Sequence, residues 1–141
     1  IKFPKGCKVS NSKAQGYIHQ IKIESSSTVP KDYYMMSIGI LKNNYGQKFD
    51  KKVYTELLLE NTKKVVAGYN VVGSFSSITN QQMGNLQVSK FRLTFPWNGM
   101  TSIQCVYVTS NDKFIAVISF SSFIDDKLNL QNEIISSLIF N

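Results

Sequence analysis

The chain has 141 residues, an apolar fraction of 43% and a formal net charge of +7. This composition is typical of a globular protein long enough to bury a core, and it excludes a disordered chain. No apolar run approaches the ~20 residues that a membrane-spanning helix needs. We therefore expect a single domain, residues 1–141, with no segment that spans a membrane.

Residues 1–15 form a short basic segment interrupted by Pro4 and Gly6, which predicts an edge strand or an N-terminal arm. Three lysines of this segment are candidate contacts for a partner: Lys2, Lys5 and Lys8. They suit an acidic protein or an anionic membrane surface, and a merely solvated surface is the alternative. Because the chain begins at Ile1 rather than Met, a signal peptide or lipid anchor upstream stays open.

Two strands are predicted next. Residues 16–24 alternate, with His19 on the same face as Ile21 and Ile23, and residues 33–42 form a second apolar run. His19 is the only histidine in the chain. Its place among apolar neighbours predicts a buried or half-buried side chain with a structural role.

A helix is predicted between Asp50, which suits an N-cap, and Gly68, which suits a helix end. Its predicted apolar stripe consists of Val53, Leu57, Leu58 and Val65. Further strands are predicted at 70–79, 86–95, 101–109 and 113–121. A second helix is predicted over 125–140, capped by Asp125, Asp126 or Asn129, with an apolar stripe of Leu130, Ile134, Ile135 and Leu138.

The order of these elements predicts an α+β fold, in which helices flank an antiparallel sheet. Two aromatic residues fall in predicted loops rather than in strands: Tyr45 within NNYGQ, and Trp97 within PWNG. Pro96 is expected to end the strand before it at Phe95, and Asn98-Gly99 to form the turn. Since nothing in that turn requires a tryptophan, Trp97 is the first candidate for contact with a partner.

The two cysteines, Cys7 and Cys105, are too far apart in sequence for a zinc or redox motif. In an oxidising compartment they could form one disulfide bond, and in a reducing one they would be small buried apolar residues. The chain contains fifteen lysines but one arginine, Arg92, which argues against nucleic-acid binding. One histidine and scattered acids predict no metal site, no cofactor and no catalytic triad.

Three stretches resemble the Mog1/PsbP-like family, which includes bacterial DcrB-like lipoproteins. They are IKFPKG at the start, VYVTSNDKFIAVISFSS over 106–122, and NEIISSLIF, whose tail is Ser137, Leu138, Ile139 and Phe140. The resemblance implies an α/β/α sandwich around an antiparallel sheet and a non-enzymatic role in binding or assembly. It also favours a bacterial, extracytoplasmic protein, either periplasmic or anchored to the membrane.

Two functions follow as hypotheses. The first is a monomeric, non-enzymatic binding or assembly protein of the cell envelope that contacts another envelope protein and carries a lipid anchor in its full-length form. The second is a module that binds a small hydrophobic ligand in a cavity between sheet and helix, lined by aromatic residues and methionines. An enzyme that uses His19 is the least favoured hypothesis.

Overall fold

An antiparallel sheet of eight strands organises the computed structural model, which describes residues 1–13 and 15–139. The strands are β1 (Cys7–Ser12), β2 (His19–Ser25), β3 (Tyr34–Lys42), β4 (Ser74–Phe75), β5 (Thr79–Met83), β6 (Leu86–Trp97), β7 (Met100–Ser110) and β8 (Phe114–Phe123). Their order across the sheet is β1-β2-β3-β8-β7-β6, and both β4 and β5 pair with the outer side of β6. The helices are α1 (Lys51–Gly68) and α2 (Leu128–Ser136), so the α+β class is confirmed.

The two helices cover opposite faces of the sheet. Successive residues of a strand point to opposite sides, so alternate residues of one strand contact different helices. On β7, Cys105 and Tyr107 pack in the core that contains Ile134 of α2, whereas Val106 and Val108 pack in the core that contains Leu59 of α1. We call these sides the α2 face and the α1 face. The arrangement is the expected α/β/α sandwich.

Helix α1 begins and ends where the sequence predicts. The Asp50 carboxylate accepts a hydrogen bond from the backbone N–H of Val53 at 3.0 Å, which caps the N-terminus, and the last helical residue is Gly68. A short 3-10 helix, Gly46–Lys48, precedes this cap.

The predicted apolar stripe of α1 is wrong in its orientation. The side chains that face the sheet lie four, three and four residues apart: Thr55, Leu59, Thr62 and Val66. Three of the four residues predicted to be buried are exposed: Val53, Leu57 and Val65. The threonines fit the buried side because their hydroxyls donate to the carbonyl oxygens of the preceding turn, Thr55 to Lys51 and Thr62 to Leu58, both at 2.7 Å.

Helix α2 is shorter than the predicted 125–140, and Phe140 lies outside the described residues. Its N-cap is Lys127 at a φ of 52° rather than any of the three predicted residues. Asp125 instead accepts the backbone N–H of Lys127 at 3.1 Å. The predicted apolar stripe is confirmed, because Ile134, Ile135 and Leu138 are buried and Leu130 packs against them.

The strand predicted over 70–79 is mostly irregular. Pairing with β6 starts at Ser74–Phe75, breaks, and resumes at Thr79. Between the pairs Phe75–Leu93 and Thr79–Lys90 the edge chain has one residue more than β6, which makes a bulge.

The β6–β7 hairpin has a two-residue turn with positive φ at both positions, 49° at Asn98 and 77° at Gly99, as predicted. The expected strand end at Phe95 is wrong, because β6 continues through Pro96 to Trp97. Backbone groups of Arg92 bond to the outer edge, and residue 96 has the same parity. The proline nitrogen therefore points outward, past the start of β4, where no ladder bond is lost.

Candidate functional site

Trp97 lies at the end of β6 and is 40% exposed. Its ring packs in a T-shaped arrangement against the Tyr69 ring, at a centroid distance of 5.4 Å, and against the Phe95 ring, at a centroid distance of 6.3 Å. Tyr69 directly follows α1 and is itself exposed. Trp97 is thus held against two aromatic rings while part of its surface stays open to solvent.

The open side of Trp97 forms one wall of a groove with a volume of about 260 Å³ on the α1 face. We call it the Trp97 groove. It is lined by Tyr33, Met35, Tyr69, Phe95, Trp97, Ser102, Gln104, Ser121 and Phe123. Five of these residues are aromatic and none is charged. The walls therefore offer flat apolar surfaces, and the strands in the floor offer neutral hydrogen-bonding groups.

The groove exists because α1 covers only part of its face. The α1-face positions of β8 change character along the strand: Ile115 and Val117 are buried in the α1 core, whereas Ser119 and Ser121 are only half-buried. Two serines at positions that should be apolar under a helix mark the uncovered part of the sheet. This change from apolar residues to serines along β8 is the sequence signal for the groove, and no sequence-based prediction above used it.

A second groove of about 370 Å³ continues from the first, since Tyr33 and Phe123 line both. The rings of these two residues are 6.0 Å apart. Its other lining residues come from β1, the end of β2, the loop between β2 and β3, and the start of β7: Lys8, Glu24, Ser25, Ser26, Ser27, Thr28, Pro30 and Met100. The two grooves together cross the sheet from β1 to β6.

Charged groups occur at the β1 end of this path. The Glu24 carboxylate lies 3.1 Å from Nζ of Lys22 and accepts a hydrogen bond from the Tyr33 hydroxyl at 2.9 Å. These contacts, with Lys22 the stronger, lower the pKa of Glu24. Burial, and then the neighbouring Glu24, raise the pKa of Tyr33. Glu24 therefore stays ionised and Tyr33 stays a hydrogen-bond donor.

Tyr45 is 70% exposed but lies away from Trp97. Asn43 fixes its loop, accepting the backbone N–H of Tyr45 at 3.1 Å and donating to the carbonyl of Asn111 at 2.7 Å. Asn111 belongs to the β7–β8 turn, whereas Trp97 adjoins the β6–β7 turn at the other end of β7. The two candidate aromatics are at opposite ends of the sheet.

The three candidate lysines, Lys2, Lys5 and Lys8, are all exposed. Strand β1 is an edge strand that pairs only with β2 among the described strands, and Lys8 on it lines the end of the second groove. The backbone N–H of Lys2 donates to Ser137 at 2.7 Å, beyond the end of α2. The lysines therefore border the sheet edge rather than form one tight cluster.

The possible disulfide between Cys7 and Cys105 does not form, and both cysteines are free. Cys7 lies on β1 and Cys105 on β7, four strand positions apart in the sheet. At the usual strand spacing this separates them by roughly 19 Å, whereas bonded cysteines have Cα atoms within about 7 Å. Cys105 is buried and Cys7 packs at the margin of the α2 core, so both act as small apolar residues.

His19 is exposed, and the prediction that it would be buried or half-buried is wrong. It opens β2, and the residues just before it on the chain, Gln15, Gly16 and Ile18, are exposed as well. Among residues 1–13 and 15–139, no three His, Cys, Asp or Glu side chains are grouped as a metal site would require. Within the same residues, no helix is long and apolar enough to cross a membrane.

Three of the solved structures with a similar fold are bacterial proteins. A protein from Bacteroides thetaiotaomicron VPI-5482 matches at a TM-score of 0.68 and 13% identity over 99% of this chain, which spans 43% of that protein's length. LpqN, involved in cell envelope biogenesis of Mycobacterium tuberculosis, matches with a TM-score of 0.58 and 12% sequence identity. The match covers 96% of this chain and 77% of the LpqN chain. PA94 from Pseudomonas aeruginosa, a protein of unknown function, matches with a TM-score of 0.57 and 5% sequence identity. The match covers 94% of this chain and 97% of the PA94 chain.

No protein-family model matches the sequence, and no curated protein matches it. Identities of 5–13% show a shared fold and nothing finer. One of the proteins that share this fold, LpqN, is involved in cell envelope biogenesis, whereas membership of the Mog1/PsbP-like family stays a prediction.

Proposed function

We propose that the chain is a Mog1/PsbP-like, non-enzymatic binding domain that acts in a bacterial cell envelope, outside the cytoplasm, through contact with a protein partner. The fold shared with LpqN supports an envelope role, because that protein is involved in cell envelope biogenesis. The resemblance of residues 1–6, 106–122 and 132–140 to DcrB-like lipoproteins supports the compartment and a lipid anchor on the full-length protein.

The observation that carries the proposal is the Trp97 groove. Tyrosine and tryptophan contribute large contact areas at a small entropy cost, and they are enriched among the residues that dominate binding energies. Here Trp97, Tyr69 and Tyr33 lie along one groove without a charged residue in it. A partner segment with apolar side chains and free backbone hydrogen-bonding groups would match both its walls and its floor.

A cross-linking experiment in the source bacterium tests the contact. The full-length protein would carry benzoylphenylalanine at residue 97 or, as a matched control, at Val53, which is also exposed but lies on the outer side of α1. We expect a discrete protein adduct from residue 97 that residue 53 does not give. The same adducts from both positions would contradict the proposal.

The purified adduct partner then allows a quantitative test. Because Trp97 is the only tryptophan in the chain, its fluorescence reports directly on the groove. Trp97→Ala, which lacks this fluorophore and is therefore compared with the wild type by isothermal titration calorimetry, should weaken binding by about 2 kcal/mol or more, and Val53→Ala should leave it unchanged. Cell fractionation of the full-length protein tests the compartment separately, and recovery in the cytoplasm would refute the envelope role whatever the partner.

A second candidate, binding of a small hydrophobic ligand, is favoured by another groove. It has a volume of about 260 Å³ on the α2 face and is lined by Ile1, Ile21, Ile38, Ile40, Phe114, Leu138 and Ile139. Every lining residue is apolar, as a site for an acyl chain would require. Native mass spectrometry of the protein purified from its own cells should then show a bound lipid-sized mass, which Ile139→Asp, a substitution at an exposed lining residue, would remove.

A further inference from the structure

A separate pocket of about 220 Å³ lies on the α2 face, behind the sheet from the Trp97 groove. Residues of the edge segment, β6, β7 and the first turn of α2 line it: Ser76, Ser77, Thr79, Lys90, Phe91, Arg92, Cys105, Tyr107 and Leu128. Two cations, three hydroxyl-bearing residues and two buried polar side chains thus converge at one place.

The strand period brings the cations together. Phe91 and Leu93 face α1, so Lys90 and Arg92, which alternate with them, face α2 and lie on the same side of β6. The bulge between β4 and β5 supplies the hydroxyls. Ser76 is held in place by two bonds to Arg92: its N–H donates to the Arg92 carbonyl and its hydroxyl accepts the Arg92 N–H, both at 2.8 Å.

The positive charge of the pocket is only partly neutralised. Asp126 is the carboxylate near Arg92, and the distance from its Oδ2 to Nε of Arg92 is 3.8 Å, too long for a hydrogen bond. Within residues 1–13 and 15–139, no carboxylate lies within 4.0 Å of Lys90. One net positive charge therefore remains at the pocket, and the guanidinium fork of Arg92 suits a planar or tetrahedral anion.

The base of the pocket adds polarity without negative charge. Burial raises the pKa of the Cys105 thiol, although Gln131, Arg92 and Lys90 act in the opposite direction, and burial raises the pKa of Tyr107 well above its usual range. Both groups are therefore neutral at pH 7. The nearby Asp126 carboxylate also raises both pKa values, and its single negative charge is outweighed by the two positive charges of Lys90 and Arg92.

We propose that this pocket binds a small anion, a phosphate or carboxylate group, through Lys90 and Arg92, with the hydroxyls of Ser77 and Thr79 as further partners. The Ser76 hydroxyl is not among them, because it already donates to the Ser77 carbonyl at 3.0 Å. The site does not rest on the proposed function, because it lies on the opposite face of the sheet from Trp97. The anion could belong to a free metabolite or to an acidic or phosphorylated side chain, since both present the same group.

Nuclear magnetic resonance of the whole chain tests this at constant ionic strength. Arg92 is the only arginine, so its side-chain Nε–H signal is unique and unambiguous. We expect inorganic phosphate to shift that signal along a saturable curve. Lys90→Gln should weaken the affinity about tenfold or more, as loss of one charge-assisted bond predicts. Lys64→Gln, which removes an exposed lysine on α1, should leave it unchanged.

A parallel titration with acetate distinguishes the two anion classes. Saturation by phosphate alone assigns the site to phosphorylated ligands, and saturation by acetate as well includes carboxylates; both results support the site. A linear shift without saturation would overturn the proposal, and so would equal weakening by Lys90→Gln and Lys64→Gln. Thermal unfolding of each variant confirms that the comparison is made between folded proteins.

Discussion

Tyr107 and Gln131 form a hydrogen bond in the middle of the α2 core, where both side chains are almost completely buried. The Tyr107 hydroxyl donates to the Gln131 amide oxygen, and the amide nitrogen donates to the carbonyl of Asp126. The bond joins β7 to α2 at the start of the helix. Buried polar groups in such a pair depend on each other, because neither can reach water.

Tyr107→Phe should therefore destabilise the protein through the oxygen that it leaves without a donor. We expect the free energy of unfolding at pH 7, measured by urea denaturation, to fall by about 1–3 kcal/mol. Tyr45→Phe is the matched control, because it removes the same hydroxyl from an exposed ring and should change stability by less than about 0.5 kcal/mol. Equal effects of the two substitutions would show that the buried bond contributes nothing specific.

The same tyrosine predicts a loss of stability at alkaline pH. Burial raises the pKa of Tyr107 above its usual 10.0, so the folded chain retains a proton that the unfolded chain releases above about pH 10. The contribution is complete below pH 10 and decreases as pH rises, by up to ~1.4 kcal/mol per pH unit. Burial also raises the pKa of Tyr33, Tyr34 and Tyr54, which add to the slope. Urea denaturation between pH 8 and 11 should show a shallower decline for Tyr107→Phe than for the wild type, and identical slopes would contradict the assignment.

At the scale of elements, the predicted and the observed α1 differ in which side of the helix faces the sheet. Leu57 is 60% exposed and Leu59 is 9% exposed, although the sequence pattern predicted Leu57 to face the sheet. Leu59→Ala should lower the free energy of unfolding by about 2–5 kcal/mol, because it leaves a cavity against β6 and β7. Leu57→Ala is the matched control and should cost less than about 0.5 kcal/mol in urea denaturation. A larger loss of unfolding free energy from Leu57→Ala than from Leu59→Ala would instead support the predicted stripe.

The sequence predicted the elements whose signals are local. Asp50 and Gly68 bound α1 because a cap and a helix end need only their own neighbours, and Asn98-Gly99 marked its turn by backbone conformation alone. The face that α1 buries depends instead on contacts with distant strands. The buried side of α1 includes Thr55 and Thr62, whose hydroxyls bond within the helix, so a stripe made only of apolar residues does not identify that side.

The candidate site was only partly predictable for the same reason. Trp97 was identified because a tryptophan beside a turn has no local explanation. The groove around it arises where α1 ends and leaves the serines of β8 uncovered, which requires the helix and the strand to be placed together. The pocket at Lys90 and Arg92 depends on a bulge between β4 and β5. No residue type in 74–79 predicts the extra residue in the pairing of this edge with β6.

At the scale of the molecule, positive charge is concentrated in the first 90 residues of the chain. Residues 1–90 carry thirteen of the fifteen lysines, and three of them, Lys2, Lys5 and Lys8, lie exposed in or before the edge strand β1. An anionic membrane surface attracts such lysines with about 1 kcal/mol each when they lie close to it. If the protein acts at a membrane, this edge of the sheet is the part that approaches it.

Co-sedimentation with vesicles of mixed neutral and anionic lipid tests this approach. Replacing Lys2, Lys5 and Lys8 by Gln should lower the partition coefficient by roughly a hundredfold, as three lysines at ~1 kcal/mol each predict. Replacing Lys31, Lys52 and Lys64, which are exposed elsewhere, removes the same net charge and should lower it far less. Binding should weaken as salt rises, because exposed charges are screened within about 10 Å at 0.1 M. Equal losses from the two triple variants would mean that only net charge matters, and the edge strand would then have no special place at the membrane.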